Sequence, residues 1–428
     1  MIGGLVGNGL QQTTSYKVVI PFYVYAAVSL LIGTILLFFH TDIAHQHYFH
    51  PYTLAITHTM ALGWGTMIIF GASHQLLPVL VEGKLDSNLL AYLTFIFAAI
   101  GIPFLVAGFY MFQMGWLVQL GAILINIAVI CYLTNVIMSI YNSKKYNIHA
   151  WFIATASLWL FSTTFFGLLL VFNFTRSILP KDSVAYLTIH AHLGIVGWFL
   201  LLVIGVGSRL IPMFLISKYT NDKTLWQIFI LINLSLVGFI IFKLMNCPTT
   251  YYYIVLALGL IGIALFGNFC RMAHKVRIRK SVDEQMKVSL LSVLQMLFPI
   301  IALLIVIILF PSKKYADMSI LYGFCIFFGW LTAIILGMTF KTLPFIVWNK
   351  VYSKKAHAGR TPVPKDLFNE NIFNGMTLAY ILGFILFITG MILSLNIVLK
   401  IATIALVLAA SLYVSNITII LLHKPNIK

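Results

Sequence analysis

Long apolar runs, one after another, constrain this chain more than any other feature. About twelve stretches of roughly 20 residues or more, each long enough to cross a hydrocarbon core of about 30 Å, lie near residues 18–40, 52–80, 88–110, 115–140, 149–173, 184–214, 224–243, 250–272, 288–310, 317–346, 374–395 and 397–422. The runs are continuously apolar rather than alternating, which selects membrane helices over a β-barrel. A chain that is 61% hydrophobic and only 9% charged also has too little polar surface to fold as a water-soluble globule. The expected fold is an all-α polytopic membrane protein, with residues 1–428 forming a single transmembrane domain. The polar, Gly-rich start has no basic region leading to a small-residue cleavage site, so a removable signal peptide is not expected.

The net charge of +17 would suit a nucleic-acid binder, but the positions of the charges point elsewhere. If the N-terminus, every second loop and the C-terminus share one side, roughly twenty Lys and Arg fall there against about six in the other loops. That asymmetry predicts both termini in the cytoplasm. The stretches "RMAHKVRIRK" (271–280) and "NKVYSKKAHAGR" (349–360) contribute most, as topology signals with anionic lipid as a further partner, and no nucleic-acid partner is expected. Cys131, Cys247, Cys270 and Cys325 form no Cys-x-x-Cys pair and read as small packing residues.

An internal repeat organises the runs. "ALGWGTMIIFGASHQLLPVLVEGKL" (61–85), "IVGWFLLLVIGVGSRLIPMFLISKY" (195–219) and "FFGWLTAIILGMTFKTLPFIVWNKV" (327–351) share one frame: Gly-Trp, a Gly seven residues after the Trp, and a Pro seven after that. The frame is Gly63, Trp64, Gly71 and Pro78; Gly197, Trp198, Gly205 and Pro212; Gly329, Trp330, Gly337 and Pro344. The spacing of about 130 residues predicts three pseudo-repeats of four helices, approximately 18–140, 149–272 and 288–422. Steps of seven keep Trp, Gly and Pro on one helix face, where Gly permits close helix approach and Pro kinks or ends the helix.

The same ruler orders the histidines. His58 and His192 both stand six residues before their Trp, where the third repeat has Phe324; two residues earlier stand Ile56, His190 and Tyr322. All ten carboxylates fall in loops or at helix ends, and Lys243, Lys341 and Lys400 lie near enough to helix ends to snorkel. His58, His190 and His192 are therefore the clearest ionisable groups in the hydrocarbon region, where a polar group is costly unless paired or functional. Neutral imidazole binds haem iron and copper without help from a carboxylate. His58 and His192 are the expected pair to clamp a haem. His190, about 200° from His192 on its helix, faces another neighbour and is a candidate for a second haem or copper.

His74, near the end of its helix, is expected at the interface. His40, His45, His47 and His50 crowd the first loop after the first run, and two readings stay open: a solvated loop touching haem propionates, or a weaker copper or zinc site. Arg176 and Lys181 read as interface anchors or propionate partners.

Three sets of four helices carrying ligand histidines and a His-x-His pair resemble the haem-copper oxidase catalytic-subunit superfamily. Within it, the pattern from His58 through Gly63 and Gly71 to Pro78 is similar to the membrane haem proteins of the NnrS type. The resemblance implies b-type haem, copper as a further cofactor, a bacterial cytoplasmic (inner) membrane, and a role in respiratory electron transfer or the nitric oxide response. With no cytochrome or cupredoxin domain in the sequence, electrons would come from a donor protein or quinol, and a diatomic gas would be the ligand. The family's oxygen- and nitric-oxide-reducing members place His-x-His on helix ten and add ligands from helices six and seven. Here His-x-His is on helix six, helix ten offers Tyr322 and Phe324, and helix seven has no histidine. That argues against a complete oxygen-reducing oxidase or proton pump. Two alternatives remain beside the haem protein: a transporter or metal-handling channel, and a divergent nitric oxide reductase-like oxidoreductase.

Overall fold

The computed structural model describes residues 14–143, 146–278, 280–301, 304, 315–353 and 361–425. The described chain is all-helical, with no β-strand, and twelve helices are long and apolar enough to cross a membrane. They are α1 (Tyr16–Phe39), α2 (Pro51–Leu80), α3 (Asn88–Tyr110), α4 (Trp116–Ser143), α5 (Ile148–Arg176), α6 (Ser183–Leu215), α7 (Asp222–Leu244), α8 (Thr249–Lys275), α9 (Glu284–Ile301), α10 (Met318–Tyr352), α11 (Glu370–Leu393) and α12 (Asn396–Leu421). The expected run at 288–310 extends past α9 into residues outside those described, as does most of the basic stretch 349–360.

Short polar side chains set several helix starts. Asn147, Asn221, Asp283 and Asn369 accept hydrogen bonds from the first free amides of α5, α7, α9 and α11, groups that no helical carbonyl can satisfy. Outward faces stay apolar: Leu378, Leu382 and Ile385 on α11 and Ile397, Ile401, Ile404 and Leu408 on α12 are exposed at helical spacing. Such stripes are uncovered hydrocarbon in water but solvated in lipid.

The chain divides into two compact units. The first comprises residues to Tyr23, Ile69–Phe104 and Met114–Arg277; the second comprises Val24–Ile68, Leu105–Gln113 and Ile278–Lys428. In the first, Phe22, Phe70, Tyr132, Phe152 and Trp198 are among the fully or nearly fully buried aromatics. In the second, Trp64, Tyr380 and Tyr413 fill the corresponding role.

The Gly seven residues after each Trp lies where its helix meets the helix before it. A Cβ on Gly71 would stand 2.7 Å from Phe22 Cβ of α1, one on Gly205 would strike Phe152 of α5, and one on Gly337 would strike Ser289 and the Gln285 carbonyl of α9. The small residue is what lets each pair close up.

Each of the three motif helices also contains a π-helical stretch: Thr59–Thr66 in α2, Leu193–Leu200 in α6 and Cys325–Trp330 in α10. A π turn carries one residue more than an α turn, so it shifts the faces on either side of it and leaves carbonyls in want of donors. In α10 side chains supply them. Thr332 Oγ1 donates to the Phe327 carbonyl at 2.6 Å, the Tyr380 hydroxyl to Gly329 at 2.9 Å, and Ser292 Oγ to Trp330 at 2.8 Å. Gly329 itself leaves helical geometry, at φ −91° and ψ −115°.

Candidate functional site

His58 and His192 are each the last α-helical residue before a π stretch, with nearly the same backbone angles: φ −73°, ψ −31° and φ −75°, ψ −28°. His58 lies in the second unit and His192 in the first. Their side chains are held alike. His58 Nδ1 donates to the Leu54 carbonyl at 2.7 Å, and His192 Nδ1 donates to the Thr188 carbonyl at 2.8 Å, each one turn back on its own helix. A carbonyl can only accept, so the proton sits on Nδ1 and the lone pair of the neutral ring on Nε2.

A phenylalanine from the next helix fixes each ring in turn. The His58 ring meets Phe109 of α3 at 4.6 Å between centroids and 36° between planes; the His192 ring meets Phe239 of α7 at 4.5 Å and 34°. In the third motif Phe324 takes the histidine's place before the π stretch and stacks on Phe387 of α11 at 3.9 Å and 15°. One local design is thus built three times, twice with a ligand-capable ring and once with a hydrocarbon one.

His190 has different surroundings. Its Cε1 lies 2.8 Å from where a Cβ on Gly167 of α5 would stand, so the imidazole occupies space that only glycine leaves open. The two rings of the His-x-His pair therefore address different helices, α5 and α7.

Two of the loop histidines, His40 and His50, share the Tyr52 ring. His40 stacks on Tyr52 at 3.7 Å and shares a hydrogen bond with the Tyr110 hydroxyl at 3.2 Å, while His50 meets the edge of Tyr52 at 5.2 Å. His47 Nδ1 accepts from the Phe49 amide at 3.1 Å, and His45 is exposed. Among the described residues no group of three or more His, Cys, Asp or Glu side chains is arranged to hold a metal ion. Partial burial holds the His40 imidazole below its ordinary pKa, with His50 and Lys400 adding to that and Asp42 opposing it. Arg176 lies over the Phe172 ring at 5.7 Å, and Lys181 donates to Asn246 at 3.4 Å.

Two features escape a reading of the sequence. The π stretches have no compositional mark beyond the shared Gly-Trp, whose Trp stands six residues after His58, His192 and Phe324. His74, expected at the interface, is 1% exposed and packs between Phe22 at 5.4 Å and Tyr132 at 5.7 Å. Proximity to a helix end does not say which face of that end a neighbour covers.

No family model matches the chain, and no curated protein matches it significantly.

Proposed function

We propose that this multi-pass membrane protein binds b-type haem, with His58 and His192 each serving as an iron ligand through its Nε2. The observation that carries the reading is the tautomer both rings share. A histidine that ligates a metal through one nitrogen commonly donates the other N–H to a carbonyl or carboxylate, which fixes ring orientation and strengthens the lone pair. Both rings meet that requirement through the carbonyl at i−4. The donor set fits haem iron: neutral imidazoles in apolar surroundings, with no carboxylate needed to balance charge.

Within this reading the chain's own residues do specific work. The backbone carbonyls of Leu54 and Thr188 stop the imidazoles from flipping, Phe109 and Phe239 limit their rotation, and the following π stretch sets the direction in which each ring leaves its helix. Bound haem would supply an iron centre able to exchange an electron or hold a diatomic gas. His190, in its slot against Gly167, is the candidate for a second haem or copper. The resemblance to the haem-copper oxidase superfamily and its NnrS-type members supports a bacterial inner membrane, a quinol or protein electron donor, and a role in electron transfer or nitric oxide response.

The test is a variant series on haem-supplemented, purified protein. His58→Ala and His192→Ala should each diminish the low-spin absorption bands, and His190→Ala should leave them. Loss confined to His190→Ala would overturn the assignment.

A further inference from the structure

The first unit encloses a second polar site that the haem reading does not use. His74 of α2 is 1% exposed and Tyr132 of α4 is fully buried, their rings meeting edge to face at 5.7 Å. Neither ring nitrogen of His74, nor the Tyr132 hydroxyl, has a hydrogen-bond partner among the described residues. The Phe70 carbonyl lies one turn before His74, where the equivalent carbonyls hold His58 and His192, but no bond of normal geometry joins it to the ring. The hydroxyls of Ser73 on α2 and Ser157 on α5 flank the phenol without completing a bond either, and Ser157 Oγ donates to Ile153 at 2.7 Å.

Leaving one such buried group unsatisfied costs its desolvation with nothing in return, and two neighbouring titratable side chains left so in one core call for an occupant. A charged occupant has no counter-charge here: Phe22, Phe70 and Trp198 supply the surrounding rings. A neutral molecule that both donates and accepts suits the phenol and the lone-pair nitrogen of the imidazole together. Buried waters take such places, making about three hydrogen bonds to groups that would otherwise go unpaired.

We propose that an internal water bridges His74 and Tyr132, accepting from the phenol and donating to the imidazole lone pair, with the Ser73 or Ser157 oxygen as its further acceptor. The bridge makes a proton-exchanging site inside an apolar core, and it stands independently of haem binding.

Solid-state NMR of the full chain in lipid bilayers, with ¹⁵N-labelled histidine, tests this. His74→Phe identifies the His74 signals, and the exposed loop residues His45 and His47 serve as the wet reference. Magnetisation passed from water should reach the His74 ring nitrogens on the timescale at which it reaches the reference. Tyr132→Phe, which removes only the hydroxyl, should at least halve it. A His74 ring that stays dark to water in the unaltered protein would overturn the proposal, and so would transfer unchanged by Tyr132→Phe.

Discussion

At the scale of single residues, the hydroxyl of Thr332 has two duties. It accepts from the Trp64 indole N–H at 3.0 Å and donates to the Phe327 carbonyl that the π stretch leaves open, both inside the second unit. Thr332→Val keeps the shape and removes both bonds, orphaning a buried donor and a buried acceptor. A loss of about 2–4 kcal/mol follows, and Thr332→Ser should recover most of it, as read by thermal unfolding in detergent. His40 gives a pH-dependent counterpart. Its pKa is lowered on folding, so the unfolded chain takes up the proton first as pH falls through about 6.5. Stability conferred by the neutral ring, stacked on Tyr52 and bonded to Tyr110, is full above that pH and declines below it, opposed in part by Asp42. His40→Phe should flatten that slope between pH 7.5 and 5; a slope of unchanged steepness would assign it to other groups.

At the scale of helices, close approach at glycine is the device used three times. Gly205→Ala should force α6 away from Phe152 of α5 and cost about 1–3 kcal/mol, whereas Gly267→Ala on α8, with open space around the new methyl, should be tolerated. Gly167→Ala makes a sharper test, because the methyl would enter the space of the His190 ring and disturb that side chain before the fold.

The helices themselves were legible, since hydrophobicity over 20 residues dominates everything local: the run read as 184–214 is α6, Ser183–Leu215. The glycine contacts were legible because a seven-residue step preserves a face in an α-helix. The phenylalanines that seat the histidines were not, because which residue of α3 or α7 meets α2 or α6 depends on helix rotation, and a π stretch resets rotation without any signature of its own. His58 and His192 could be singled out as polar groups in apolar runs, but the carbonyl that fixes each tautomer is backbone, and every sequence supplies backbone.

At the scale of the whole molecule, the twelve apolar helices make this a multi-pass membrane protein, and its outward stripes carry a testable cost. Ile404→Lys, placed on an exposed apolar face in mid-helix, should lower the membrane-inserted yield, consistent with a penalty of about 2.5–3.5 kcal/mol for a charge at helix centre, while Gln46→Lys in the exposed loop should not. The helix design seen in α2, α6 and α10 carries an imidazole before its π stretch in two instances and a phenyl ring in the third, and iron ligation by the two imidazoles is what we propose. The most direct measurement is a reduced-minus-oxidised visible spectrum of the detergent-purified protein, with its iron content. Sharp low-spin bands with about one or two irons per chain are the predicted result. A folded protein that remains colourless and iron-free after haem supplementation would contradict it.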